Sequence, residues 1–170
     1  MKHSIKRQMI TVFLGLLTFL VLALLVINVK FLEPYYIRNK ETQFINMYEK
    51  LNEARENGTL DNEEVSSNLV HLAEKNNISF LVEDERGAVY TNVHDKNLLK
   101  NQLVGYFLNQ AQKESKILES TDEYQINQSW DPWNQNYYIE MWGTFDDGSQ
   151  FLLRSPLESI RESAAISNRF

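Results

Sequence analysis

With 170 residues, no cysteine and 23 acidic residues against 17 basic ones, the chain excludes disulfide and thiolate-metal frameworks, and nucleic acid is an unsuitable partner. The charge is unevenly laid out: Lys2, Lys6 and Arg7 precede the first apolar segment, so the remainder of the chain is more acidic than the formal net charge of -6. Six scattered glycines build no loop that would cradle a phosphate.

Between Arg7 and Lys30 lie 22 uncharged residues, 8–29, rich in Leu, Val, Phe and Ile. A helix of that length is roughly 33 Å long and crosses the roughly 30 Å hydrocarbon core of a bilayer. A cleaved secretory signal has an apolar core of about 7 to 15 residues and a small-residue cleavage site, which Val26-Ile27-Asn28-Val29-Lys30-Phe31-Leu32 does not offer. A buried helix of a soluble protein fits poorly, because no charge marks a solvated face. The expectation is a retained transmembrane helix over 8–29 in the lipid bilayer of the cell membrane. The basic cluster holds a cytoplasmic tail at 1–7, and the chain after about residue 30 is extracytoplasmic.

About 140 residues remain, the size of one domain with its own core, predicted over 30–155. Glu33-Pro34 opens a helix, proline being tolerated in the first turn, and Asn57-Gly58 stops it. Along it Ile37, Phe44 and Leu51 recur every seven residues. That stripe needs a partner: the rest of its own domain is expected to cover most of it and the same helix of a second copy part of it, so these three are also candidates for a homodimer seam. Asp61, with Glu64 three residues later, starts a second helix that carries Val65, Leu69 and Leu72 as far as Lys75. Residues 78–82 read as a largely buried strand, Glu83-Asp84-Glu85-Arg86-Gly87 as a turn and 88–91 as the returning strand.

Residues 97–114 place Leu99, Leu103, Tyr106 and Phe107 at helical intervals, a third helix that covers the sheet. Residues 116–118 and 124–126 suit short strands, and Trp130-Asp131-Pro132-Trp133-Asn134 a loop. Residues 137–144 and 150–154 are the clearest strands, joined by the tight-turn sequence Asp146-Asp147-Gly148. From Pro156 a proline-started exit helix is predicted over 156–170, with Leu157, Ile160 and Ala164 on one side as the signal-transmitting face. It has no closing cap, so it reads as leading to a second transmembrane helix. The fold class predicted is α+β: one transmembrane helix, then a PAS/Cache-like sensor domain with a long amino-terminal helix and a small, mainly antiparallel sheet.

The stretches Tyr138-Ile139-Glu140-Met141-Trp142-Gly143, Phe151-Leu152-Leu153-Arg154-Ser155-Pro156-Leu157-Glu158-Ser159-Ile160-Arg161-Glu162-Ser163 and Ile166-Ser167-Asn168-Arg169-Phe170 resemble the region before the second membrane helix of sensor histidine kinases from Gram-positive, clostridium-like bacteria. Ile5-Lys6-Arg7-Gln8-Met9 and Phe31-Leu32-Glu33-Pro34-Tyr35-Tyr36 resemble the start of the same proteins. The likeness covers both ends of the chain and fades between them. What it implies is an input module of a two-component system: a homodimer that senses a small-molecule or protein signal and passes it through a HAMP linker to a cytoplasmic kinase. That kinase would use ATP and Mg and act on a response regulator. The chain itself carries no such kinase, for His71-Leu72-Ala73-Glu74-Lys75 lacks the Arg-Thr-Pro continuation of the family's phosphoacceptor helix. The alternatives are a single-pass anchored extracellular binding protein, or the same module fused to a chemoreceptor or cyclase output.

No catalytic constellation is legible, since spacing alone places no reacting groups. His71, Glu74, His94 and Asp95 are residue types that suit zinc, but isolated polar residues are ordinarily just solvated, and no metal or cofactor is expected in this chain. Tyr138, Glu140 and Trp142 alternate on one strand face, with Arg154 on the neighbouring strand. They are the candidate ligand-binding residues, against the alternative that the rings are core. Arg154 has two readings, an ion pair with Glu140, which is preferred, or an anionic ligand. Trp130 and Trp133, around Pro132, have the chemistry of residues that contact lipid headgroups.

Overall fold

The computed structural model describes residues 5–27, 33–108 and 115–157. The chain divides into two units, Met1–Arg38 and Asn39–Phe170. The first contains α1 (Ile5–Ile27), whose apolar side chains are exposed along its length. Its segment Arg7–Ile27 is long and apolar enough to cross a membrane. The two threonine hydroxyls in it bond back to carbonyls one turn earlier, Thr11 to Arg7 and Thr18 to Leu14, each at 2.9 Å. No side-chain hydroxyl of the helix therefore needs water.

The second unit is an α+β fold in which the greater part of a long helix, from Asn39 on, precedes a small antiparallel sheet. α2 is Glu33–Glu56. Gly58 has a φ of 61° and closes it, with the N–H of Thr59 returning to the Ala54 carbonyl. α3 (Glu63–Lys75) is capped by Asn62, whose side chain accepts from the N–H groups of Glu64 and Val65. Asp61, expected as the cap, lies one residue too early and accepts instead from the Tyr90 hydroxyl at 2.8 Å.

β1 (Ser79–Glu83) and β2 (Val89–Thr91) form the predicted hairpin. Its turn is tied by Asp84, which accepts from the N–H groups of Arg86 and Ala88. α4 (Lys96–Phe107) follows, then the meander β3 (Ser115–Ser120), β4 (Tyr124–Asp131), β5 (Asn136–Thr144) and β6 (Gln150–Pro156). The sheet order is β2-β1-β6-β5-β4-β3, every pair antiparallel, so β6 returns to the side of β1.

Alternation along the strands gives the sheet two different faces. Phe80, Val82, Ile126, Ile139, Met141, Phe151 and Leu153 share one face by register and are buried. Tyr48 of α2 lies on this side, its ring 5.2 Å from that of Phe151 and 5.4 Å from that of Tyr124. The other face is covered by α4, where Leu81, Leu99, Leu103, Tyr106 and Leu152 form a buried cluster.

The fold narrows one further expectation and corrects two. Phe44 and Leu51, candidates for a dimer seam, are fully buried within their own chain, and Ile37 is half-buried. A seven-residue repeat shows that a face is covered without showing by what, and for Phe44 and Leu51 the cover is the domain's own core. Trp130 and Asp131, expected in a loop, are the last two residues of β4. Pro156, expected to start a helix, ends β6 opposite Tyr138, and the N–H of Leu157 donates to the Tyr137 carbonyl at 2.7 Å. The last β1 partner on β6 is Arg154, opposite Ser79. Pro156 therefore has a neighbour on one side only, a place where the missing N–H is tolerated. Ile160 and Ala164, with the rest of the expected exit helix, lie outside the described residues, as does the end of the third helix expected at 109–114.

Candidate functional site

The face under α4 carries the charge. Asn127, Ser129 and Asp131 of β4, Tyr138, Glu140 and Trp142 of β5, and Leu152, Arg154 and Pro156 of β6 alternate onto it, with Glu140 directly opposite both Asn127 and Arg154. Arg154 is 5 % exposed, Glu140 3 % and Asp131 8 %. The guanidinium meets both carboxylates, with Nε 3.0 Å from Glu140 Oε1 and an Nη bonded to Asp131 Oδ2. Its carbon sits 3.6 Å from the centre of the Tyr138 ring, a cation–π contact. The sequence placed Tyr138, Glu140 and Arg154 together correctly and preferred the ion pair, which is present.

Asp131, Tyr106 and Ser129 join them without a sequence signal as clear as the β5 alternation. Tyr106 of α4 and Ser129 of β4 both donate to Glu140 Oε2. Asp131 additionally accepts from the N–H of Trp133 at 2.9 Å and from the side-chain amide of Asn134 at 2.8 Å. The signal that would have found the acid is the polar alternation Asn127, Ser129, Asp131, which continues β4 beyond Ile126. Burial pushes the Asp131 carboxyl up, but Arg154 and the donors from Asn134 and Trp133 outweigh it and hold the group below its ordinary value. Burial, then the Glu140 charge, pushes the Tyr106 hydroxyl up, so it stays a donor.

Trp142 is half-buried and packs against the core cluster under α4. It stacks on Tyr106 with ring centres 5.2 Å apart and meets Phe107 edge-on at 5.3 Å. The open space begins on the other side of Arg154. A cavity of about 230 Å³ lies between the start of α4 and the β4–β5 turn, with Ser79, Asp95, Asn134, Tyr138, Arg154 and Pro156 among its walls and Leu98 and Leu99 as apolar cover. Of the four expected ligand residues, Tyr138 and Arg154 therefore line the cavity, while Glu140 pairs with Arg154 and Trp142 packs against Tyr106 and Phe107 instead. The volume is below the roughly 300 to 1,000 Å³ of pockets for drug-sized ligands, which limits an occupant to a small molecule.

A larger space, about 590 Å³, is an open groove between α2 and α3, where Ala54, Leu69 and Leu72 meet Lys50 and Glu53. It has no convergence of buried polar groups comparable to that around Arg154, so the smaller cavity is the candidate site. Among the described residues no group of three or more His, Cys, Asp or Glu is placed to hold a metal ion. Comparison with protein-family models, curated proteins and solved structures finds no match for this chain.

Proposed function

We propose that the chain is the membrane-anchored input module of a transmembrane receptor, with α1 in the bilayer and a PAS/Cache-like domain outside the cytoplasm sensing a small ligand or a protein. The output of the sensor-histidine-kinase kind is what the sequence resemblance implies. The observation that carries the reading is that the cavity opens on β6. Arg154 and Pro156 both line it, and Pro156 is the last residue of that strand. A ligand that engages Arg154 competes with Glu140 and Asp131 for the guanidinium, and the strand that must adjust is the one leading directly to residues 158–170. A bias of about 1 to 3 kcal/mol between two packings of β6 suffices for coupling between sites.

The apolar length of Arg7–Ile27 and the basic Lys2, Lys6 and Arg7 support the anchor and its orientation. The PAS/Cache-like reading is supported by the succession of hairpin, covering helix and meander, with β6 returned to β1. The coding sequence downstream of Phe170 tests the receptor reading. The expected result is about 20 apolar residues followed at once by a HAMP-like helical pair. A stop codon directly after Phe170 contradicts it in favour of an anchored binding protein.

A further inference from the structure

The turn between β4 and β5 is unlike the rest of the domain's surface. Residues 132–139, Pro-Trp-Asn-Gln-Asn-Tyr-Tyr-Ile, contain no charge in a chain that is 24 % charged. Trp133 is 93 % exposed, and Trp130 and Tyr137, paired across the hairpin with ring centres 4.8 Å apart, are also solvent-accessible. The neighbouring acid, Asp131, is 8 % exposed and turned inward to pair with Arg154. Three accessible aromatic rings on an uncharged tip leave much apolar surface in water, which side chains with a ring and a polar edge avoid at a membrane–water interface.

Contacts fix which end of the domain this is. Lys40 of α2 bonds the Asn76 carbonyl at 2.6 Å, Ser155 bonds the Asn77 carbonyl at 2.7 Å, and Leu157 bonds Tyr137. The early part of α2 within the domain, the start of β1, the end of β6 and the aromatic tip therefore lie together. The opposite end is marked by Arg55 paired with Asp147 in the β5–β6 turn. α2, which follows α1 in the sequence, therefore enters the domain at the end that carries the tip.

We infer that Trp133, with Trp130 and Tyr137, is a docking surface for the lipid headgroup region of a bilayer, which would hold the domain on the membrane by this end. The inference rests on the reading of α1 as embedded in the bilayer. The uncharged tip suits zwitterionic lipid, since it offers no cation for an acidic headgroup.

The chain carries three tryptophans, all in the domain and none in α1, so its tryptophan emission reports on the domain alone. The full chain is reconstituted into phosphatidylcholine vesicles with and without bromine on the acyl chains, and flotation is measured on the same samples. The expected result is co-flotation, with loss of roughly a third of the emission in brominated vesicles, the share of Trp133 among three tryptophans, since Trp130, 37 % exposed against 93 %, lies behind it at the edge of the surface. Trp133→Phe, a change at an exposed position that leaves folding intact, removes most of that loss. Co-flotation with equal emission in both vesicle types overturns the docking inference and leaves the anchor standing. If iodide also fails to reach Trp133 in those samples, a protein surface covers the tip instead. Failure to float overturns both readings.

Discussion

Arg154 holds two buried carboxylates, and that makes it the residue whose loss is most costly at the site. Arg154→Met leaves Glu140 and Asp131 facing each other's charge without a cation. Breaking a buried pair in this way costs about 3–5 kcal/mol, and the full chain in detergent is expected to lose that much in denaturant titration. Arg154→Lys is expected to recover only part of it, because an ammonium cannot reach both acids with the fork of a guanidinium. A loss below about 1 kcal/mol for the methionine variant would mean that the cluster is loosely held. Asp131 gives a pH signature of definite sign. Its folded value is depressed, so the stability it contributes is complete above its unfolded value of about 3.9 and is lost as pH falls through the folded value. Acid titration of the wild type is expected to fall more steeply below about pH 4 than that of Asp131→Asn. Equal slopes would contradict the assignment. At this scale the sequence was readable where alternation is strict: Tyr138, Glu140 and Trp142 share a face as expected. It was not readable for Asp131, because the Trp-Asp-Pro-Trp run has the composition of a loop while register with β5 keeps it in the strand. Nor did it tell pocket from core, since alternation places a side chain on a face and the covering helix decides what that face meets. That is why Tyr138 reaches the cavity and Trp142 does not.

Among the elements, β5 has the tightest requirement. A Cβ on Gly143 would overlap the Glu123 carbonyl and the Tyr124 backbone, where β4 begins. Gly143→Ala must push these two strands apart, and a cost of about 1–3 kcal/mol, typical of overpacking, is expected as a lowered melting temperature. A melting temperature equal to wild type would show that the β4–β5 start yields freely. The elements themselves were largely legible, because hydrophobic period and turn residues act locally. Asn57-Gly58, the Asp84–Gly87 turn and Asp146-Asp147-Gly148 all fall where the chain reverses or stops. What misled was context: a proline starts helices and also ends strands, and only the missing β1 partner beyond Arg154 makes Pro156 a strand terminus. The Phe44 and Leu51 repeat is covered by its own domain, the preferred of its two readings, though a stripe alone is silent about which surface covers it.

Across the whole molecule, an apolar helix is joined to an acidic domain whose cavity, strand end and aromatic tip lie towards one end. Each of these features gains meaning only if α1 is embedded and the domain is exported. The absence of native cysteine allows that arrangement to be read directly. Ser4→Cys in the amino-terminal tail and Asn101→Cys on the exposed side of α4 each place one thiol in the chain. The measurement is labelling of intact expressing cells with a membrane-impermeant maleimide. An embedded α1 with an exported domain predicts that the Asn101→Cys chain is labelled at once and the Ser4→Cys chain only after permeabilisation. The reverse pattern, or recovery of the unlabelled protein in the soluble fraction, would contradict it.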